Sequence, residues 1–276
     1  MKAATAIGIA IAILGILGGA VMEGTKLPAL INIPAMLIVF GGTLGGTLAA
    51  VGMEKMKAVP ALYKRAFSAE PANFGGKVQL MVGFAERARK DGLLALESEV
   101  EQIEDAFTRK GLQLVVDGTD PDMLREILEA EIEGMSARHK GGTEAFKQAG
   151  GFAPTMGVLG TVMGLVHVLE NLDKPATLGP AISGAFIATL FGVGAANVVF
   201  LPVANRLKAL SEEESEERYL LLEGILSIQA GDNPRIVAEK LMSFVPPAER
   251  EGAAQKKNAP AAARSEAAAE PAAAAA

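Results

Sequence analysis

Four stretches of this chain, 3–22, 27–53, 149–169 and 178–205, contain no Asp, Glu, Lys or Arg. Each reaches the roughly 20 apolar residues that a bilayer-spanning helix needs. A helix in a soluble core rarely runs uncharged for so long, because one of its faces normally meets water. The pattern predicts an all-α membrane protein: four transmembrane helices with a large helical cytoplasmic insertion between helices 2 and 3. Lys2 and the first apolar run resemble a cleaved leader, but the run exceeds the usual 7–15-residue signal core and a second span follows almost at once, so a retained helix is expected. The chain has no cysteine, which closes disulfide and thiolate-metal chemistry. Its net charge of -6 gives no pointer to nucleic acid.

Cation placement sets the expected orientation. The links between spans one and two and between spans three and four carry a single lysine each, Lys26 beside Glu23 and Lys174 beside Glu170 and Asp173. Lys55, Lys57, Lys64 and Arg65 follow span two, Lys140 and Lys147 precede span three, and Arg206 and Lys208 follow span four. The positive-inside rule puts these on the cytoplasmic side, with both termini. The expected organisation is spans one and two in 1–53, a cytoplasmic helical domain in 54–148, spans three and four in 149–205 and cytoplasmic helices in 206–245. A tail rich in Ala, Pro and Glu, 246–276, has too few large apolar groups to fold. Within the insertion, helices are expected at 78–89, 93–110 and 122–138, the last opened by Asp120-Pro121 and running towards span three. A further short helix is expected at 234–245.

Small residues recur one turn apart: Gly15 and Gly19, Gly41 and Gly45 or Gly42 and Gly46, Gly160 and Gly164, and Gly184, Ala188, Gly192 and Ala196. Such stripes let backbones approach closely inside lipid, and together they predict a tightly packed multi-helix assembly. Spans three and four also hold Pro154 and Pro202. At 1.5 Å per residue, Pro154 lies roughly 10 Å inside Lys147 and Pro202 roughly 6 Å inside Arg206, at matching cytoplasmic depth. If the helices run unbroken, these prolines free the carbonyls of Gly150 and Val198; alternatively, Pro154 opens a helix. Deeper, Thr161 and Thr189 lie roughly 21 and 25 Å from the same cations. Their hydroxyls either line a wet path or bond their own helix carbonyls.

No span supplies an acid, and the one titratable side chain within them is His167, near the outer end of span three. Ion transport through a bilayer generally needs an ionisable group or a ring of oxygens at depth. An ion conductor built on these helices therefore takes its carboxylate from a partner. No phosphate loop, metal cluster or nucleophile constellation stands out, so an enzyme is not expected, nor a metal or other cofactor.

The run GGFAPTMGVLGTVMGLVHVL with ATLGPAISGAFIATLFGVGAANVVFLPVANRLK, together with IPAMLIVFGGTLGGTL at 33–48 and ARKDGLLALESEVE at 88–101, resembles the flagellar motor stator A subunits, the MotA and PomA family. The likeness runs from about 7 to 242. It implies an inner-membrane subunit that forms a pentamer around two single-span B subunits (MotB/PomB-like), whose membrane aspartate carries H+ or Na+. It further implies that Pro154 and Pro202 flank that aspartate, that Thr161 and Thr189 fall on the ion path, and that Arg89, Lys90 and Glu97 engage the rotor protein FliG. Arg89 and Glu97, eight residues apart, would share a face of one unbroken helix, although Gly92 lies between them. The alternative is an ExbB/TolQ-like energiser of outer-membrane processes, a group that typically has three spans.

Overall fold

The computed structural model describes residues 4–69, 72–247 and 250. Apart from 246, 247 and 250, the expected tail lies outside the described residues. Every regular element among them is helical: α1 (Ala4–Met22), α2 (Ile33–Ser68), α3 (Phe74–Asp91), α4 (Ala106–Val116), α5 (Pro121–Glu170), α6 (Pro175–Gln229) and α7 (Pro234–Met242). Four of them, α1, α2, α5 and α6, are long and apolar enough to cross a membrane. The chain divides into two compact units, one from 1–71 and 134–213, the other from 72–133 and 214–276.

In the first unit, α1 buries none of its side chains. The second span starts at Ile33, because Asn32 accepts a hydrogen bond from Ala35 N at 3.0 Å and Pro34 occupies the first turn, where its missing N–H costs nothing. Before it, Leu27–Leu30 forms a separate 3₁₀ turn. A wider π turn at Leu37–Gly41 interrupts α2. Gly52, at φ +80°, then bends the helix sharply, a conformation that a side chain would resist, before it continues to Ser68. At the far end of these spans, Ala66, Phe146, Val203, Ala204 and Leu207 form a small buried cluster.

The second unit is built differently. α3 ends at Gly92, whose φ of +87° no helix interior accepts. The segment expected as one helix over 93–110 is instead a 3₁₀ turn (Leu93–Leu96), a four-residue helix (Glu97–Val100) and then α4. The break before α4 is made by Asp105, which accepts from Thr108 N at 2.9 Å and also from the Thr108 hydroxyl. Met81, Leu96, Phe107, Leu112, Leu124 and Leu128 are fully buried with Leu220, Leu221, Leu222, Ile225 and Ile228. From Leu220 to Gln229 no residue of α6 is exposed, so this part of the helix is covered around its circumference. The unit thus joins the insertion to residues that follow span four in one core. Asn233 opens α7, accepting from Arg235 N at 3.1 Å, and α7 buries Val237 and Leu241 in the same core.

Candidate functional site

Spans α5 and α6 meet backbone to backbone. A Cβ added to Gly157 would lie 2.9 Å from the carbonyl oxygen of Ala188 and 3.3 Å from the Cα of Gly192. One and two turns along the same seam, a Cβ on Gly160 would meet Ala188 Cβ at 2.7 Å and one on Gly164 would meet Ala185 Cβ at 2.7 Å. The stripes of α5 and α6 therefore face each other, which is why glycine is required there. Gly184 instead faces the side-chain amide of Asn32. On α2 it is Gly42 and Gly46 that take neighbours, Met156 and Phe152, whereas Gly41 and Gly45 meet nothing within 4 Å. Gly15 and Gly19 on α1 likewise have no described neighbour within 4 Å.

This close approach brings two hydroxyls together. Thr161 Oγ1 lies 3.1 Å from the carbonyl of Gly157 and 3.0 Å from that of Ala185, and it also contacts Thr189 Oγ1. With one proton to give, Thr161 donates to a carbonyl and accepts from Thr189. The two readings of these threonines are thus not exclusive: Thr161 bonds its own helix and also bridges to the next. Four oxygens gather at this point of the apolar seam, two of them main-chain carbonyls.

Pro154 sits inside the continuous helix α5. The alternative that it opens a helix does not hold in this structure. Its ring displaces the donor that Gly150 O would otherwise receive. Gly150 packs on Leu201, where an added Cβ would meet the side chain at 2.6 Å, so the turn loosened by Pro154 lies beside the turn that holds Pro202. On α6 a π turn, Ala195–Phe200, immediately precedes Pro202. Widening by one residue is a known way for a helix to absorb a misfit of this kind, and such turns gather at functional places. Pro202 lines an open crevice of about 510 Å³ with Asn197, Val198 and Arg206 of α6 and Thr5 and Gly8 of α1. Asn197 was not singled out in the sequence; its side chain donates to Val193 O at 2.9 Å. His167 lines a separate cavity of about 260 Å³ with Asn32, Gly160 and Gly164.

Arg89, Lys90 and Glu97 are all exposed, and all belong to the second unit. Gly92 breaks the helix between them, so helical periodicity does not place them on one face. They are held instead by their neighbours: Leu96 and Val100, at 0% and 1% exposure, anchor the short segment that carries Glu97. Arg89 and Lys90 occupy the last turn of α3, where cations suit the helix dipole.

Two carboxylates outside the spans are electrostatically tuned. Burial opposes ionisation of Asp105, but the hydrogen bonds from Thr108, side-chain and backbone, outweigh it and hold the carboxyl below its ordinary value. Burial likewise opposes ionisation of Glu223, and Lys240 at 2.7 Å and Arg125 at 3.0 Å reverse the balance. Glu223 thereby ties α6 to α5 and α7. Among the described residues no group of three or more His, Cys, Asp or Glu is placed to hold a metal.

Residues 99–219 match the MotA/TolQ/ExbB proton channel family, and residues 6–92 match the motility protein A N-terminal family. Motility protein A of Bacillus subtilis is 38% identical over 251 residues, 91% of this chain and 93% of that protein. Chemotaxis protein PomA of Vibrio alginolyticus is 36% identical over 242 residues, covering 84% and 94%. The fold is similar to that in the structure of C. jejuni MotAB, with TM-score 0.85, 32% identity, and coverage of 90% of this chain and 97% of that one. It is also similar to the flagellar MotAB stator complex from Bacillus subtilis, with TM-score 0.83, 38% identity and coverage of 89% and 97%.

Proposed function

Because this chain belongs to the MotA/TolQ/ExbB proton channel family, we propose that it is the A subunit of a flagellar motor stator in the bacterial inner membrane, with both termini cytoplasmic. Five copies surround a pair of single-span B subunits, and the B-subunit aspartate carries the ion, H+ or else Na+. The observation that carries this reading is the seam of α5 and α6: two proline-loosened turns side by side and a hydroxyl pair deeper in, in spans that contain no carboxylate of their own. Such a seam can flex and can solvate a passing cation, but it cannot hold a proton.

Neutralising the partner's carboxylate removes its need for polar neighbours, and the Pro154 and Pro202 turns relax around it. Re-ionisation reverses this. Repeated around the ring, the cycle moves each second unit, and the Arg89, Lys90 and Glu97 surface passes the movement to FliG. Exposed complementary charges suit such contacts because they speed encounter more than they add affinity. One charge crossing 100 mV releases about 2.3 kcal/mol, so torque is built from many small steps. The match of residues 6–92 to the motility protein A N-terminal family and the four spans favour the motor over an outer-membrane energiser.

The test is to co-produce the chain with its B subunit and compare swimming with inner-membrane proton flux. Pro154→Ala is expected to lower flux, or swimming per unit of flux, by tenfold or more (order of magnitude, ~1.4 kcal/mol per decade). Arg89→Glu is expected to abolish swimming while flux stays within about twofold. Normal torque from both variants removes the assignment.

A further inference from the structure

The crevice between the start of α1 and the end of the fourth span holds a guanidinium whose hydrogen bonds are not made. The Arg206 side chain is 14% exposed, and the acid it pairs with, Glu213, stands with Oε1 3.6 Å from Nη1, beyond hydrogen-bond reach. Its five N–H donors have no hydrogen-bond acceptor among the described residues. Its nitrogens are nevertheless accessible and not sealed inside the protein, and the residue lines the crevice, so the donors are offered there. Lys208, two residues on, behaves differently: it is 61% exposed and stands in solvent beside Glu212. Arg206 is the one charged side chain that lines the crevice.

Below this cation the walls change character. Spans one and four run antiparallel, so Thr5 lies at the Arg206 end of the crevice, and Ala12 and Asn197 lie at its deep end. The lining descends roughly 13 Å on α6, from Arg206 to Asn197, and roughly 12 Å on α1, from Ala4 to Ala12. That is most of one hydrocarbon leaflet, roughly 15 Å deep. Along the descent Gly8, Val198 and Pro202 present carbon, and Asn197 already gives an N–H to Val193 O at 2.9 Å. A Cβ added to Gly8 would meet nothing within 4 Å, so the space is open. Water filling it finds few polar partners below Arg206, and a free anion uses only the mouth. A span from a second copy of the chain brings no carboxylate to the guanidinium. A molecule with a negative head and an apolar tail matches both ends, and basic pockets between membrane helices suit anionic headgroups.

We propose that this crevice holds an anionic phospholipid. Its phosphate takes two parallel hydrogen bonds from the Arg206 fork and one from the Thr5 hydroxyl, and an acyl chain lies along Gly8, Ala12 and Val198. The lipid ties α1, which buries none of its own side chains, to α6. This goes beyond the stator reading and needs only that α1 and α6 stand in a bilayer; neither the ion nor the rotor enters.

The experiment places the full chain, co-produced with its B subunit, in nanodiscs of equal phosphatidylglycerol and phosphatidylethanolamine, and native mass spectrometry counts the lipids that stay bound on release. Phosphatidylglycerol is expected to be retained about fivefold over phosphatidylethanolamine, the worth of one basic residue at a membrane surface. Arg206→Gln is expected to bring that ratio below about twofold, whereas Lys208→Gln leaves it unchanged. Gly8→Leu, which fills the crevice without a clash, is expected to remove the bound lipid whatever its headgroup. No preference in the unmodified complex overturns the proposal, as does a ratio that Arg206→Gln leaves intact or that Lys208→Gln lowers equally. Displacement of phosphatidylglycerol by excess inorganic phosphate means that the mouth takes a free anion, and also overturns it. Gly8→Leu that leaves the lipid in place but breaks the complex gives the crevice to another copy of the chain. A preference shown by the chain alone and lost in the complex gives it to the B subunit. Either result overturns the proposal.

Discussion

The two units of this molecule solve the packing problem in opposite ways. The second unit buries large side chains such as Phe107, Met81, Leu112 and Leu128 in one continuous core, as a water-soluble domain does. The first unit buries little: α1 buries no residue, and Val158, Leu159, Val162 and Met163 of α5 stay exposed. Its tightest contacts are glycine backbone on glycine backbone, Gly157 with Gly192. Where the surrounding medium is itself apolar, nothing is gained by moving leucine out of it, and close approach has to supply the attraction. The exposed faces of the first unit are then available to lipid and to further helices.

The largest expected effect breaks the first unit at its seam. Gly157→Leu inserts a side chain where the facing backbone is 2.9 Å from a bare Cβ, and proton flux by the co-produced complex is expected to fall at least about tenfold, since overpacking of this kind typically costs 1–3 kcal/mol. The same swap at Gly15, which has open space around it, serves as the control.

Next in size is a cavity in the second unit. Leu112→Ala removes a fully buried side chain from a soluble-type core and is expected to cost about 2–5 kcal/mol, read as a lower midpoint in denaturant and as faster proteolysis of the intact protein. A smaller loss for Leu112→Ala than for a leucine-to-alanine change on the exposed face of α5, such as Leu159→Ala, would contradict the contrast between the two units.

The smallest effect concerns the charge lock of the second unit. Both Glu223 and Asp105 are held below their ordinary values in the folded state. The unfolded chain therefore binds more protons at acid pH, and the stability these groups contribute is full above about pH 4.3, the ordinary range, and is lost as pH falls through their lower folded values. Glu223→Gln is expected to lower stability at neutral pH, by about 1–2 kcal/mol after allowing for partial exposure, and to flatten the acid limb of a stability–pH curve. An acid limb that keeps its slope in the variant would reject the assignment.

Much of the molecule was legible in the sequence where one physical rule dominates. Uncharged windows of about 20 residues marked the spans, and Pro154, Pro202, Thr161 and Thr189 could be placed at matching depths by counting helical rise. Two of these, Thr161 and Thr189, do touch. Thr43 and Thr47, buried with no hydrogen-bond partner among the described residues, were missed because, in GGTLGGTL, threonine repeats with the same period as glycine, and only the contacts tell which residue packs on a neighbouring helix. The break at Gly92 was foreseeable as a bend, but not the segment of 3₁₀ and short α-helix after it, which depends on Leu96 and Val100 finding the core.

By itself the sequence determined which segments are long and apolar enough to enter the membrane and that their interiors carry no acid. Those properties are local sums over side-chain transfer energies. Only the tertiary structure decided which glycines face which helix, which hydroxyls pair and which do not, and that residues before and after the last two spans share one core. Those outcomes depend on the rotation and contact of whole helices, which no single stretch of chain encodes.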